Sequence, residues 1–383
     1  MKFDNIYKRI EELFEEQVRS GKQTEEAGIQ TCGQFINEPG LGQRGLHGVS
    51  AAIYVLSQND QYDELTNGLC EYAENFETYA GVEKLQSDGN NTIKQAELLF
   101  ALCFVKAGTR DVHELKNQIS NKLNNSIIEG HGWDYFLNDQ KEVQLLSTAY
   151  CIRALMEAGY SQNIANSIRY LRFELKRKSN NIDNPTRLSI YVFCLYVLVF
   201  FDNKFKEFEK DYKLILKRIK KSKYFSLNNS FEQNLEYHGN DEHHYVRIPW
   251  QLYYLAITSK LSKWSFLNRY AQKRLKELQD KLLNGGFKYD FSGEHLSSRT
   301  YSIIEESLIK IEQNVPNSLL IKTAKIFNFI KPYLLYLVYV IVIIFMIFSI
   351  YKAVTNDFNL GDLAPEFVGY FVILLLSVNR KRK

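Results

Sequence analysis

Six apolar segments recur along the chain, each preceded by a Gly or Pro turn and a polar stretch. The most legible unit is His131 to Gly159, HGWDYFLNDQKEVQLLSTAYCIRALMEAG. Within it, Thr148, Cys151, Ile152, Leu155 and Met156 share one face at helical spacing. Ala149 and Ala154 leave room for a neighbouring helix to approach closely. Aligned on their last large core residue, the units end at Leu56, Phe104, Leu155, Leu198, Leu255 and Leu308, with gaps of 48, 51, 43, 57 and 53 residues. Each gap is about one helical hairpin. A hairpin cannot bury its apolar face alone, so the period predicts an array of stacked hairpins.

Short motifs inside the units carry a resemblance. Gly132-Trp133 followed by Ser147-Thr148-Ala149, and Gly285-Gly286-Phe287 followed by Thr300-Tyr301, resemble the repeats of terpenoid cyclases and protein prenyltransferases. Gly45-Leu46-His47-Gly48 is similar to a repeat turn of lanthionine synthetases, which use the same architecture. The resemblance runs from about Gly42 to Gln313. It implies an α/α toroid, with about six helical hairpins placing inner helices around a central cavity and outer helices outside. The expected fold is therefore all-α, an α/α toroid followed by a C-terminal membrane hairpin.

The remaining features fit that outline. Six prolines in 383 residues, with long periodic segments, argue for nearly continuous helix. A formal net charge of +4 is too small to indicate nucleic acid. Cys32, Cys70, Cys103, Cys151 and Cys194 are odd in number and lack CxxC spacing, so buried thiols in a reducing compartment are expected. The first 41 residues begin with an amphipathic helix whose stripe is Ile6, Ile10, Leu13, Phe14 and Val18; it lacks a signal-peptide centre and reads as the closure of the toroid. The toroid itself is assigned to residues 42–321. Two basic amphipathic stretches, Arg169–Lys178 and Lys213–Lys223, fall at expected outer helices and read as solvated faces, with phosphate contact as the alternative.

Residues 322–383 read as a membrane anchor. Tyr333 to Tyr351 is an uncharged run of 19 residues, enough to cross a hydrocarbon core of about 30 Å at 1.5 Å per residue. A second apolar segment lies near 365–378. Lys322, Lys325 and Lys331 precede the first span, and Arg380 to Lys383 follow the second. The positive-inside rule then favours a two-helix hairpin with both ends cytoplasmic, in the inner membrane.

In the toroid that the resemblance implies, the inner helices run parallel, so the polar residues preceding them gather at one mouth of the cavity. That expected ligand-binding set is Arg44, His47, His131, Trp133, Asp134, Arg187, His243, His244, Arg247, Trp250, Asp290, Glu294, His295 and Arg299. Four arginines beside helix N-termini suit an anionic group; helix capping is the plainer explanation of the same residues. Tyr54, Tyr150, Tyr191, Tyr253 and Tyr301 read as core before they read as a lining for an isoprenoid or a cation.

The chemistry of the resembling families is missing. No DxDD acid and no DxC zinc pair occurs, and no Cys/Cys/His set accompanies His47. GxSxG, Walker and HExxH signatures are absent as well. Neither a catalytic residue, a metal nor a cofactor is therefore assigned. The expected partners are a lipid bilayer, a small-molecule, isoprenoid or peptide ligand, and further copies of the chain through the hairpin. Three functions compete: a non-catalytic receptor acting through its hairpin, a membrane-tethered enzyme on isoprenoid or lipid-like substrates, and an interaction scaffold. The first is favoured. Its layout resembles that of membrane effectors in bacterial antiviral defence, which is analogy alone.

Overall fold

The computed structural model describes residues 3–23, 46–75, 89–106, 112–138, 141–160, 164–225, 233–239, 242–248, 250–261 and 298–314. The chain divides into a unit ending at Asn317 and a second unit from Ser318 to Lys383. Both expected membrane spans belong to the second unit and lie outside the described residues. Among the described residues, no helix is long and apolar enough to cross a membrane.

The first unit is mostly helical. Its helices are α1 (Asp4–Gln23), α2 (Leu46–Leu56), α3 (Asp63–Glu74), α4 (Thr92–Leu102), α5 (His113–Asn125), α6 (Leu145–Glu157), α7 (Ala165–Lys178), α8 (Pro185–Phe201), α9 (Phe205–Lys221), α10 (Trp250–Leu261) and α11 (Ser298–Asn314). Their ends follow local chemistry. Asn184 caps α8 by accepting the Arg187 N–H at 2.7 Å, and Pro185 supplies a first residue that needs no donor. Asn91 caps α4 in the same way through the Lys94 N–H. Helix α6 stops where Gly159 turns to φ 89°, with the Tyr160 N–H on the Leu155 carbonyl at 2.8 Å. That is a left-handed glycine closure of the last turn.

Two kinds of helix alternate, and composition says which goes where. In α6 every residue from Leu145 to Leu155 is buried, and α8 is buried almost throughout. Helices apolar on all sides belong inside. By contrast, α9 buries only Tyr212, Ile215, Leu216 and Ile219, one stripe of a charged helix. Accordingly α2, α4, α6, α8, α10 and α11 pack one on the next, and α11 returns to α2, closing a ring of six. Helices α3, α5, α7 and α9 each lie against the ring helix that precedes them in sequence. Helix α1 packs on both α2 and α11, across the seam where the ring closes.

One segment departs from the helical expectation. Residues preceding α10 form an antiparallel hairpin, β1 (Gln233–Gly239) with β2 (Glu242–Ile248), with Tyr237 opposite His244 and His238 opposite His243. Strand β1 lies against α8 and β2 against α11. The sequence NLEYHGNDEHHYVRI brackets a Gly-Asn pair with residues that favour strands, a hairpin signal that outweighed the helical period here.

Candidate functional site

The centre of the ring is polar. Arg153 lies in the apolar run of α6, Glu306 in that of α11 and Tyr196 in that of α8, all of them buried. The Arg153 guanidinium donates to Glu306 Oε2 at 2.8 Å, and the Tyr196 hydroxyl donates to Glu306 Oε1 at 3.0 Å. Helices α6 and α11 are three places apart in the ring of six, so the ion pair crosses its middle. On one side, His47 Nδ1 of α2 meets Glu97 Oε2 of α4.

Around these groups is a small cavity of about 30 Å³, lined by His47, Tyr54, Glu97, Arg153, Ser302 and Glu306 among others. That volume holds a water or two. The Arg153 guanidinium lies 4.1 Å from the Phe100 ring centre, 5.1 Å from Tyr150 and 5.7 Å from Phe193. The aromatic cage that a ligand cation would occupy is therefore filled by the chain's own cation.

Electrostatics favour a charged Arg153 and protonated phenols in this arrangement. Burial works against the Arg153 charge, but attraction to Glu306 above all outweighs it and keeps the guanidinium above its ordinary pKa. Burial, with Glu306 next, raises the hydroxyls of Tyr54 and Tyr196 well above the usual phenol value, so both stay protonated donors. Burial also pushes the Cys103 thiol up to about 12, and the Cys151 and Cys194 thiols upward. Those three cysteines carry no thiolate for nucleophilic chemistry.

Of the expected mouth residues, His47 alone reaches this cavity among those whose side chains are described. Trp133 is fully buried and donates its indole N–H to the Leu123 carbonyl at 2.7 Å, seating the loop against α5. Asp134 accepts the backbone N–H groups of Tyr135, Lys141 and Glu142, pinning the same loop. His131 is exposed and stacks on Tyr170 of α7, with ring centres 5.6 Å apart. Arg187 pairs with Asp183 just before its own helix. Trp250 is buried against Phe225, ring centres 5.3 Å apart. His243, His244 and Arg247 sit on β2 rather than ahead of a ring helix, and Arg299 lies in the first turn of α11. Arg44, Asp290, Glu294 and His295 fall outside the described residues.

Sequence reasoning missed Glu97, Arg153, Tyr196 and Glu306. Part of the signal was present: LLSTAYCIRALME sets Arg153, and YSIIEESLI sets Glu305 and Glu306, within an apolar stretch. Among the described residues, no three His, Cys, Asp or Glu side chains are grouped to hold a metal. The chain matches no known protein-family profile, no curated protein and no solved structure.

Proposed function

We propose that the first unit is an α/α toroid serving as a non-catalytic receptor, held at a membrane by the C-terminal hairpin of residues 322–383. The observation that carries this reading is the Arg153–Glu306 pair bridging the ring. A fully desolvated ion pair adds little to stability compared with apolar side chains of the same volume. Its place on the axis suits recognition: a ligand that enters as the ring helices part sets its carboxylate or phosphate on Arg153 in place of Glu306, and the freed Glu306 reorganises α11. That helix is the last of the ring, and the chain continues from it into the apolar segments at 333–351 and 365–378. Ligand binding at the centre thereby reaches the hairpin by direct continuation of the chain.

The competing reading, an enzyme on isoprenoid or lipid-like substrates, is less well supported. No catalytic signature of the resembling families occurs in the sequence, and at the ring centre the chain's own guanidinium fills the aromatic cage that a cationic intermediate would need. Membrane fractionation tests the anchor. The full chain is expected in the pellet after alkaline carbonate washing, and a chain ending at Asn317 in the supernatant. A full chain that washes off contradicts the reading.

A further inference from the structure

Away from the ring centre, a cleft of about 350 Å³ lies between the start of α7 and the turn joining α8 to α9. Ile168 and Phe208 give it an apolar floor; Arg169, Arg172, Asp202 and Lys204 give it charge. Two of these charges are spent on each other. Arg172 donates to Asp202 at 2.5 Å and to the Tyr212 hydroxyl at 3.2 Å, with its guanidinium 3.4 Å from the Phe208 ring centre. This inner pair is fixed from three sides and leaves the cleft wall rigid.

Arg169 and Lys204 are different. Both are exposed, both line the cleft, and neither forms an ion pair among the described residues. Three cations, Arg169, Arg172 and Lys204, against the one carboxylate of Asp202 leave a net charge of two positives in the cleft. Ala165, the first residue of α7, and Lys204, immediately before α9, also open on it, so two helix starts add partial positive charge.

We infer that this cleft binds a phosphate monoester with an apolar or aromatic body: the phosphate between Arg169 and Lys204, the body against Ile168 and Phe208. A monoester carries close to two negative charges at neutral pH, which matches the surplus, where a carboxylate would leave one cation unanswered. The volume falls at the small end of organic-ligand pockets, room for one ring system and its phosphate. The basic face of α7 thus has a local purpose at its N-terminal end, separate from the ring centre.

The test uses the full chain in a non-ionic detergent, with pyridoxal 5′-phosphate as the probe. This aromatic monoester condenses through its aldehyde with a lysine amine, releasing water, and borohydride delivers hydride to the imine carbon to fix a secondary amine. Peptide mass spectrometry then compares Lys204 with its exposed neighbours Lys206 and Lys210. Lys204 is expected to be labelled about tenfold faster, and Arg169→Ala is expected to remove that preference, as loss of one charge-assisted contact would. Unchanged labelling of Lys206 in the variant shows that it is folded. Protection of Lys204 by inorganic phosphate identifies a soluble ligand. Protection by phosphatidic acid in mixed micelles with the same detergent, but not by equal free phosphate, identifies a lipid headgroup of the same chemistry. Equal labelling of the three lysines, a preference that survives Arg169→Ala, or protection by neither competitor overturns the assignment.

Discussion

Glu306 is 3% exposed and accepts from both Arg153 and Tyr196. Removing the carboxylate would leave the guanidinium buried without its counter-charge, and such losses cost about 3–5 kcal/mol. Glu306→Ala is therefore expected to lower the unfolding midpoint sharply. Arg153→Met combined with Glu306→Leu is expected to recover most of that loss in the same urea titration. One residue earlier, Glu305 is also buried, and its Oε2 finds no hydrogen-bond partner among the described residues. Burial, then the nearby Glu11, raises its carboxyl well above 4.5. The unfolded chain carries no such penalty. As pH climbs past the ordinary carboxylate value, the unfolded state releases this proton first, and the folded state loses stability until its own raised pKa is passed. Glu305→Gln keeps the shape and removes the proton. Parent and variant should unfold alike below pH 4.5, with the variant the more stable of the two as pH approaches neutral, read from melting temperatures across that range.

At the level of elements, the Gly-Trp turn ahead of α6 shows what the repeat motif does. A Cβ on Gly132 would sit 2.4 Å from Thr148 Oγ1 and 2.6 Å from Val143 Cγ1, so the turn can press on α6 only with glycine there. Gly132→Ala is expected to destabilise the ring by about 1–3 kcal/mol, as overpacking does, measured by chemical unfolding. The six ring helices were legible because apolar periodicity is a local signal, and Leu56, Leu155, Leu198, Leu255 and Leu308 all fall within them. Phe104 falls just beyond the end of α4 at Leu102. The β-hairpin was not legible from that period, since its alternation is short and leads straight into α10. The expected mouth is a different case, and of its residues with described side chains only His47 reaches the cavity. Polar residues ahead of a helix serve its loop first, as Trp133 and Asp134 do, whereas the groups that meet at the centre come from the middles of α4, α6, α8 and α11. Only tertiary closure brings those together, and spacing along one helix does not encode it.

For the whole molecule, closure is the decisive property. Helix α11 packs on α10, α2 and α1, and the Phe3 N–H and Tyr7 hydroxyl reach back to Glu312 at 3.1 and 3.2 Å. The first described residues therefore hold the last ring helix, the one that precedes the C-terminal unit in sequence. In the proposed receptor, that helix is the step in the chain between a ligand at the centre and the proposed anchor. Native mass spectrometry of the full chain, carrying Arg169→Ala in both parent and variant so that the α7–α9 cleft is disabled, and released from detergent after incubation with the small-molecule fraction of cell extract, tests this most directly. A bound mass on the parent that is absent from the Arg153→Met, Glu306→Leu chain is the predicted result. No added mass on the parent, or the same mass on both chains, would contradict a receptor site at the ring centre.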